Sequence, residues 1–71
     1  MSYQSLIQQA LNELNRQDIN PRHIEGWMRM RHNGVLDNLD PQEFKREVRE
    51  SIKLVDADPA TAEELAESYG V

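Results

Sequence analysis

Leu39-Asp40-Pro41-Gln42-Glu43-Phe44 carries a complete helix-start signal. Asp40 can accept from the unpaired amides of a first turn, Pro41 falls where a helix needs no N–H, and Glu43 can return a bond to the amide of the cap residue. Leu39 and Phe44 bracket the signal as a hydrophobic staple. Asn20-Pro21 and Asp58-Pro59 repeat the cap-then-proline order, so all three prolines of this 71-residue chain open helices. The chain therefore reads as all-α, and the remaining residues decide where each helix runs and stops.

Downstream of Pro41, the apolar residues Phe44, Val48, Ile52 and Val55 recur at offsets of three and four, which makes one buried stripe on a helix to about residue 56. Glu43 with Arg46, Arg46 with Glu50, and Glu50 with Lys53 are spaced to pair on its solvent side. After Asp58-Pro59, the residues Ala62, Leu65, Ala66 and Tyr69 share an inner face, and Gly70-Val71 reads as a Schellman stop in which Val71 reaches Ala66.

Upstream, Asn20 caps a helix on which Ile24, Trp27 and Met28 form the stripe, with Met30 at its margin and Asn33-Gly34 closing it. Val35, Leu36 and Leu39 are the apolar residues of a connector expected to fold inward. At the beginning, Tyr3, Leu6, Ile7, Ala10, Leu11 and Leu14 line one face from residue 3 to about 16, with Ser2 as cap. Alternation is never sustained, so no strand is expected. The expectation is a single helical domain, residues 1–71, built as a compact bundle of four short helices over about 3–16, 21–32, 41–56 and 59–69. Its expected core is Leu6, Leu11, Leu14, Ile24, Trp27, Phe44, Val48, Ile52, Val55 and Leu65.

A chain this short draws only about 3–5 kcal/mol of net stability from one core, and association with a second copy would add to it. Without cysteine, disulfides, thiolate metal sites and thiol nucleophiles are excluded. No basic stretch leads into an apolar run, and no stretch is long enough to span a bilayer, so a cytoplasmic protein is expected. The net charge is -5. Residues 16–32 hold Arg16, Arg22, Arg29 and Arg31 against Asp18 and Glu25, whereas residues 33–71 hold four bases against ten acids. The overall field repels nucleic acid and anionic membrane.

The sequence contains little that resembles catalytic or ligand chemistry. His23 and His32, the only imidazoles, stand roughly 180° apart around one helix and cannot chelate a common metal from it. Asp56-Ala57-Asp58 with Glu64 and Glu67 suggests a calcium loop, but Ala60 and Thr61 stand where an oxygen ligand and a glycine are required. Ser2, Ser5, Ser51 and Ser68 have no nucleophile-elbow context, and no glycine-rich segment could cradle a phosphate. No enzyme activity, cofactor or metal is expected.

The helix from Pro21 gathers cations around the single tryptophan. Arg22, Gly26 and Arg29 share a face read as outer, and a glycine inside a helix suits close approach of another backbone, from within the chain or from a partner. Arg31 reads as a last-turn cation paired with Asp37 or another acid. The expected function is therefore a small protein-protein interaction or regulatory role for the helix-two surface. Its candidate contacts are Arg22, Gly26, Trp27, Arg29 and Met30, and its expected partner is a protein, a second copy of this chain included. Two other classes are consistent with the charges: a nucleic-acid-binding module using helix two, or an acidic nucleic-acid mimic that occupies a basic protein cleft.

Overall fold

A computed structural model of the chain describes residues 3–71, so the Ser2 cap lies outside the described residues. Four helices follow in order: α1 Tyr3–Glu13, α2 Pro21–Arg31, α3 Pro41–Ala57 and α4 Pro59–Ser68. The three proline starts form as read. Asn20 accepts from the Arg22 amide, Asp58 accepts from the Thr61 amide, and Asp40 with Glu43 closes a reciprocal capping box. Asp58 ends α3 and caps α4, so the two helices share one hinge residue.

The C-terminal stops differ in which residue turns left-handed. At α4 the reading holds: Gly70 has φ +68°, Val71 N–H donates to Ala66 at 3.0 Å and Gly70 N–H to Glu67 at 3.1 Å. At α2 the position after the cap is Asn33, with φ 54°, and Gly34 follows it, donating to the Arg29 carbonyl at 2.6 Å. At α1 the sequence reading overshoots. Asn15 takes φ 60°, and Arg16 N–H donates to Leu11 at 2.9 Å, so the helix closes at Glu13 by the same motif without a glycine. Leu14, expected in the core, is consequently 37% exposed.

Helix α2 is the centre of the bundle. It packs against all three others, while α1 and α4 lie on different sides of it and do not approach each other. The core joins Ile7, Leu11, Ile24, Met28, Val48, Ile52 and Val55 with the small Ala10, Ala62 and Ala66. Ile19 and Leu36 enter it from loops. Leu6, Trp27, Phe44 and Leu65, expected at full depth, are half-buried, and Tyr69 and Val35 are exposed.

The α2–α4 seam explains the glycine inside α2. A Cβ at Gly26 would stand 2.8 Å from the Ala66 nitrogen and 3.1 Å from the Leu65 carbonyl carbon. The face holding Gly26, read as outer, is therefore covered by α4, and the backbone that approaches it belongs to this chain. No helix among the described residues is long and apolar enough to cross a membrane.

Candidate functional site

Because α2 is enclosed, its arginines are committed inside the fold. Arg29 donates through Nε to Glu25 at 2.9 Å and through Nη1 to the Gly34 carbonyl at 2.5 Å, with its guanidinium 5.4 Å from the Tyr3 ring centroid. Arg22 donates to the Val71 carbonyl at 2.7 Å and stands 3.7 Å from Glu63. Arg31 forks onto Glu47 at 3.1 and 3.3 Å, where the sequence reading had offered Asp37 or another acid, and His32 bonds the same carboxylate. Glu25 and Glu47 are 4% and 7% exposed, so these are bonds to buried carboxylates. Of the remaining candidate contacts, Gly26 is buried, Trp27 is half-buried with its indole N–H lacking a hydrogen-bond partner among the described residues, and Met30 is 39% exposed.

One open feature of the surface lies between α1 and α3. Tyr3, Leu6 and Ala10 from α1, Leu36 and Leu39 from the connector, and Phe44 from α3 line a groove of about 350 Å³. Tyr3 and Phe44 stack across it with ring centroids 6.3 Å apart. The staple residues Leu39 and Phe44 pack against the core with one side and leave the other facing the groove. At one end the Tyr3 hydroxyl donates to Asp37. At the other, Lys45 meets Glu13 at 3.1 Å, and a second hollow continues past Ala10 and Leu14 to Arg49.

The outer face of α3 beside this groove is basic: Lys45 lines the groove together with the acids Glu13 and Asp37, and Arg49 lines the second hollow. At 100° per residue, Lys45, Arg49, Lys53 and Arg46 fall within an arc of about 100°, opposite the buried stripe, and all four are exposed. The acids of α3 are used elsewhere. Glu43 closes the capping box, Glu47 is buried under Arg31, and Asp56, the one acid within the basic arc, is held by Arg16 at 2.8 Å. Glu50 touches Lys53 at 3.4 Å at the margin, whereas Arg46 and Arg49 make no ion pair among the described residues. The charges of α3 are therefore segregated around the helix, with the cations on its outer face. Proximity of Arg16 holds the Asp56 and Asp18 carboxyls below their ordinary range.

Several other titratable groups make contacts within the fold. His23 donates to Glu63 at 2.6 Å, and that bond, helped by Arg22, lowers the Glu63 pKa. Bonds from the Thr61 hydroxyl and amide lower that of Asp58, and the Glu43 amide does so for Asp40. Ser51 has a fully buried hydroxyl without a hydrogen-bond partner among the described residues. Among the described residues no three His, Cys, Asp or Glu side chains group as metal ligands would. Nothing in the sequence pattern signalled the groove, because Leu6 and Phe44 have the spacing of core residues and the connector has no periodicity. Compared with known proteins, the chain matches no family model, no curated protein and no solved structure.

Proposed function

We propose that this chain is a non-enzymatic, cytoplasmic protein-binding module that seats an apolar segment of a protein partner in the groove between α1 and α3. The observation that carries the reading is the groove itself. Tyr3, Leu6, Leu39 and Phe44 are only half-buried by the fold and meet in one hollow at the small end of the size range of ligand sites. A second partner's side chains would complete their burial, at about 25 cal/mol per Å² of apolar surface removed from water. The helix-two surface is a weaker candidate, since Arg22, Gly26 and Arg29 are occupied within the fold and Met30 is left at its edge.

Site-specific photo-crosslinking in cells tests this reading. A photoreactive residue at the rim position Gln9 is expected to capture a defined partner, and Leu6→Glu is expected to abolish the capture. The same probe at Glu67, on the exposed face of α4, is expected to capture none. Equal capture at Gln9 and Glu67, or capture that survives Leu6→Glu, would sink the proposal.

A further inference from the structure

We infer that the partner the groove receives is a second copy of this chain, docked by the same α1–α3 face across a two-fold axis. The inference rests on the reading of the groove as a docking site and names the occupant.

The charge balance of the face points to such an occupant. The groove and the second hollow share Ala10, Glu13 and Lys45, so they form one continuous face. The charged residues lining it are Glu13, Asp37, Lys45 and Arg49, two acids and two cations. They cancel, which leaves the whole net charge of -5 on the rest of the molecule. A partner of one strong sign gains nothing over a neutral face. Two copies of this acidic chain, by contrast, can meet here with no surplus of like charge between them.

The layout is also self-complementary. Asp37 lies at one end of the face, beside Tyr3, and Arg49 lies at the other, beside Leu14. A two-fold contact uses the same patch on both copies, so the two ends of one copy meet the opposite ends of the other. An axis through the apolar middle of α1, near Leu6 and Ala10, carries Arg49 of each copy toward Asp37 of the other. Glu13 is already matched by Lys45, and Arg49 makes no ion pair among the described residues, so Arg49 is the free charge at its end. Asp37 accepts from the Tyr3 hydroxyl, and a carboxylate has lone pairs left for a guanidinium. Between the charged ends, the half-buried Tyr3, Leu6, Leu39 and Phe44 form the apolar centre that a protein interface has inside its polar rim.

The area is sufficient for a reversible pair. Helix α3 has 17 residues, which makes it about 25 Å long, and two packed helices are about 20 Å across. The face is therefore about 500 Å² on each copy and about 1,000 Å² for the pair, at the lower bound of a specific interface.

The test is analytical ultracentrifugation of the purified chain between about 5 µM and 1 mM, the range in which a contact of this size dissociates. Wild type is expected to be a dimer at the upper end. Arg49→Asp and Asp37→Arg, both at exposed positions, each place like charges at both ends of the contact and are expected to weaken dimerisation about tenfold. Combined in one chain they restore opposite charges across the axis, and dimerisation is expected to return to within about twofold of wild type, a recovery that damage to the fold would not produce. Because the chain has no cysteine, Gln9→Cys beside the axis is expected to give a disulfide-linked pair on mild oxidation, and Glu67→Cys none. A wild type that stays monomeric throughout, while the Gln9 photoprobe captures a different protein in cells, overturns the second copy and leaves the groove reading standing. A monomer with no capture at Gln9 overturns both. A dimer that the combined exchange does not restore, or that cross-links as readily through Glu67→Cys as through Gln9→Cys, overturns the inference by placing the contact elsewhere.

Discussion

Helix α2 carries Arg22, Arg29 and Arg31, and α3 carries Lys45, Arg46, Arg49 and Lys53. In α2 every guanidinium ends on a carboxylate or a carbonyl of the same chain, two of the carboxylates being buried. In α3 the cations lie outward, and the acids between them are taken up by a cap, a buried pair and Arg16. The difference comes from position. Neighbours enclose α2 on several sides, so a cation there is stable only with a partner. One side of α3 is open to water, which solvates a cation at no such cost. Local charge density, which singled out α2, measures neither.

The strongest way to break this contrast is to truncate matched cations. Arg29→Ala leaves Glu25 buried without its guanidinium and the Gly34 carbonyl without its donor. We expect a loss of about 2–4 kcal/mol, most of the net stability of a chain this size. Arg31→Ala should cost less, because His32 stays on Glu47. Urea unfolding followed by circular dichroism measures both. Arg29→Ala unfolding at the wild-type midpoint would mean that the buried pair contributes nothing.

Gly26 probes the same enclosure without charge. Alanine is the better helix former by about 1 kcal/mol, so an open site would make Gly26→Ala stabilising. The methyl would instead meet the Ala66 backbone at 2.8 Å, and backbone cannot rotate aside. We expect a net loss of about 1–3 kcal/mol from forcing α2 and α4 apart. A raised melting temperature would show that the seam is looser than drawn.

These two helices also mark what the sequence could and could not disclose. Asn20, Asp40 and Asp58 with their prolines were legible because capping is decided within four residues. The end of α1 was missed because Asn15 does the work usually read from glycine, and with it Leu14 left the core. Ile19 and Leu36 are buried from loops, where no period reveals them. Gly26 announced a close backbone, but whether that backbone was a partner's or Ala66's depended on tertiary packing. The basic arc of α3 was present in the spacing, yet its acids had to be withdrawn by a cap, a buried pair and Arg16 before it became a surface.

Acid tests the capping and pairing carboxylates. Asp40, Asp58, Glu63, Asp56 and Asp18 all have folded pKa values below their ordinary range, through bonds from Glu43, Thr61, His23 and Arg16. A group depressed on folding contributes stability that is complete above its unfolded pKa and is lost as pH falls through the folded one. Stability from these groups should therefore be level down to about pH 4, the ordinary carboxylate pKa, and decline below it. Asp58→Asn keeps a capping oxygen but cannot titrate, so it should shrink the acid loss. An unchanged acid limb in that variant would remove the cap from the account.

The smallest expected effect is the most informative about α3. Arg49→Ala and Lys53→Ala remove exposed cations, one without an ion pair among the described residues and one touching Glu50 at 3.4 Å. Neither leaves a buried acid behind, and alanine is a favourable helix residue. Their unfolding midpoints should move by no more than about 0.5 kcal/mol in equivalent stability. A residue that holds up the fold and a residue kept for a partner both tolerate little change in the cell, but only the first loses stability in isolation. If Arg49→Ala costs as much as Arg29→Ala, the basic wall of α3 belongs to the fold. If it costs nothing, the basic arc of α3 is a solvated face on which the fold does not depend.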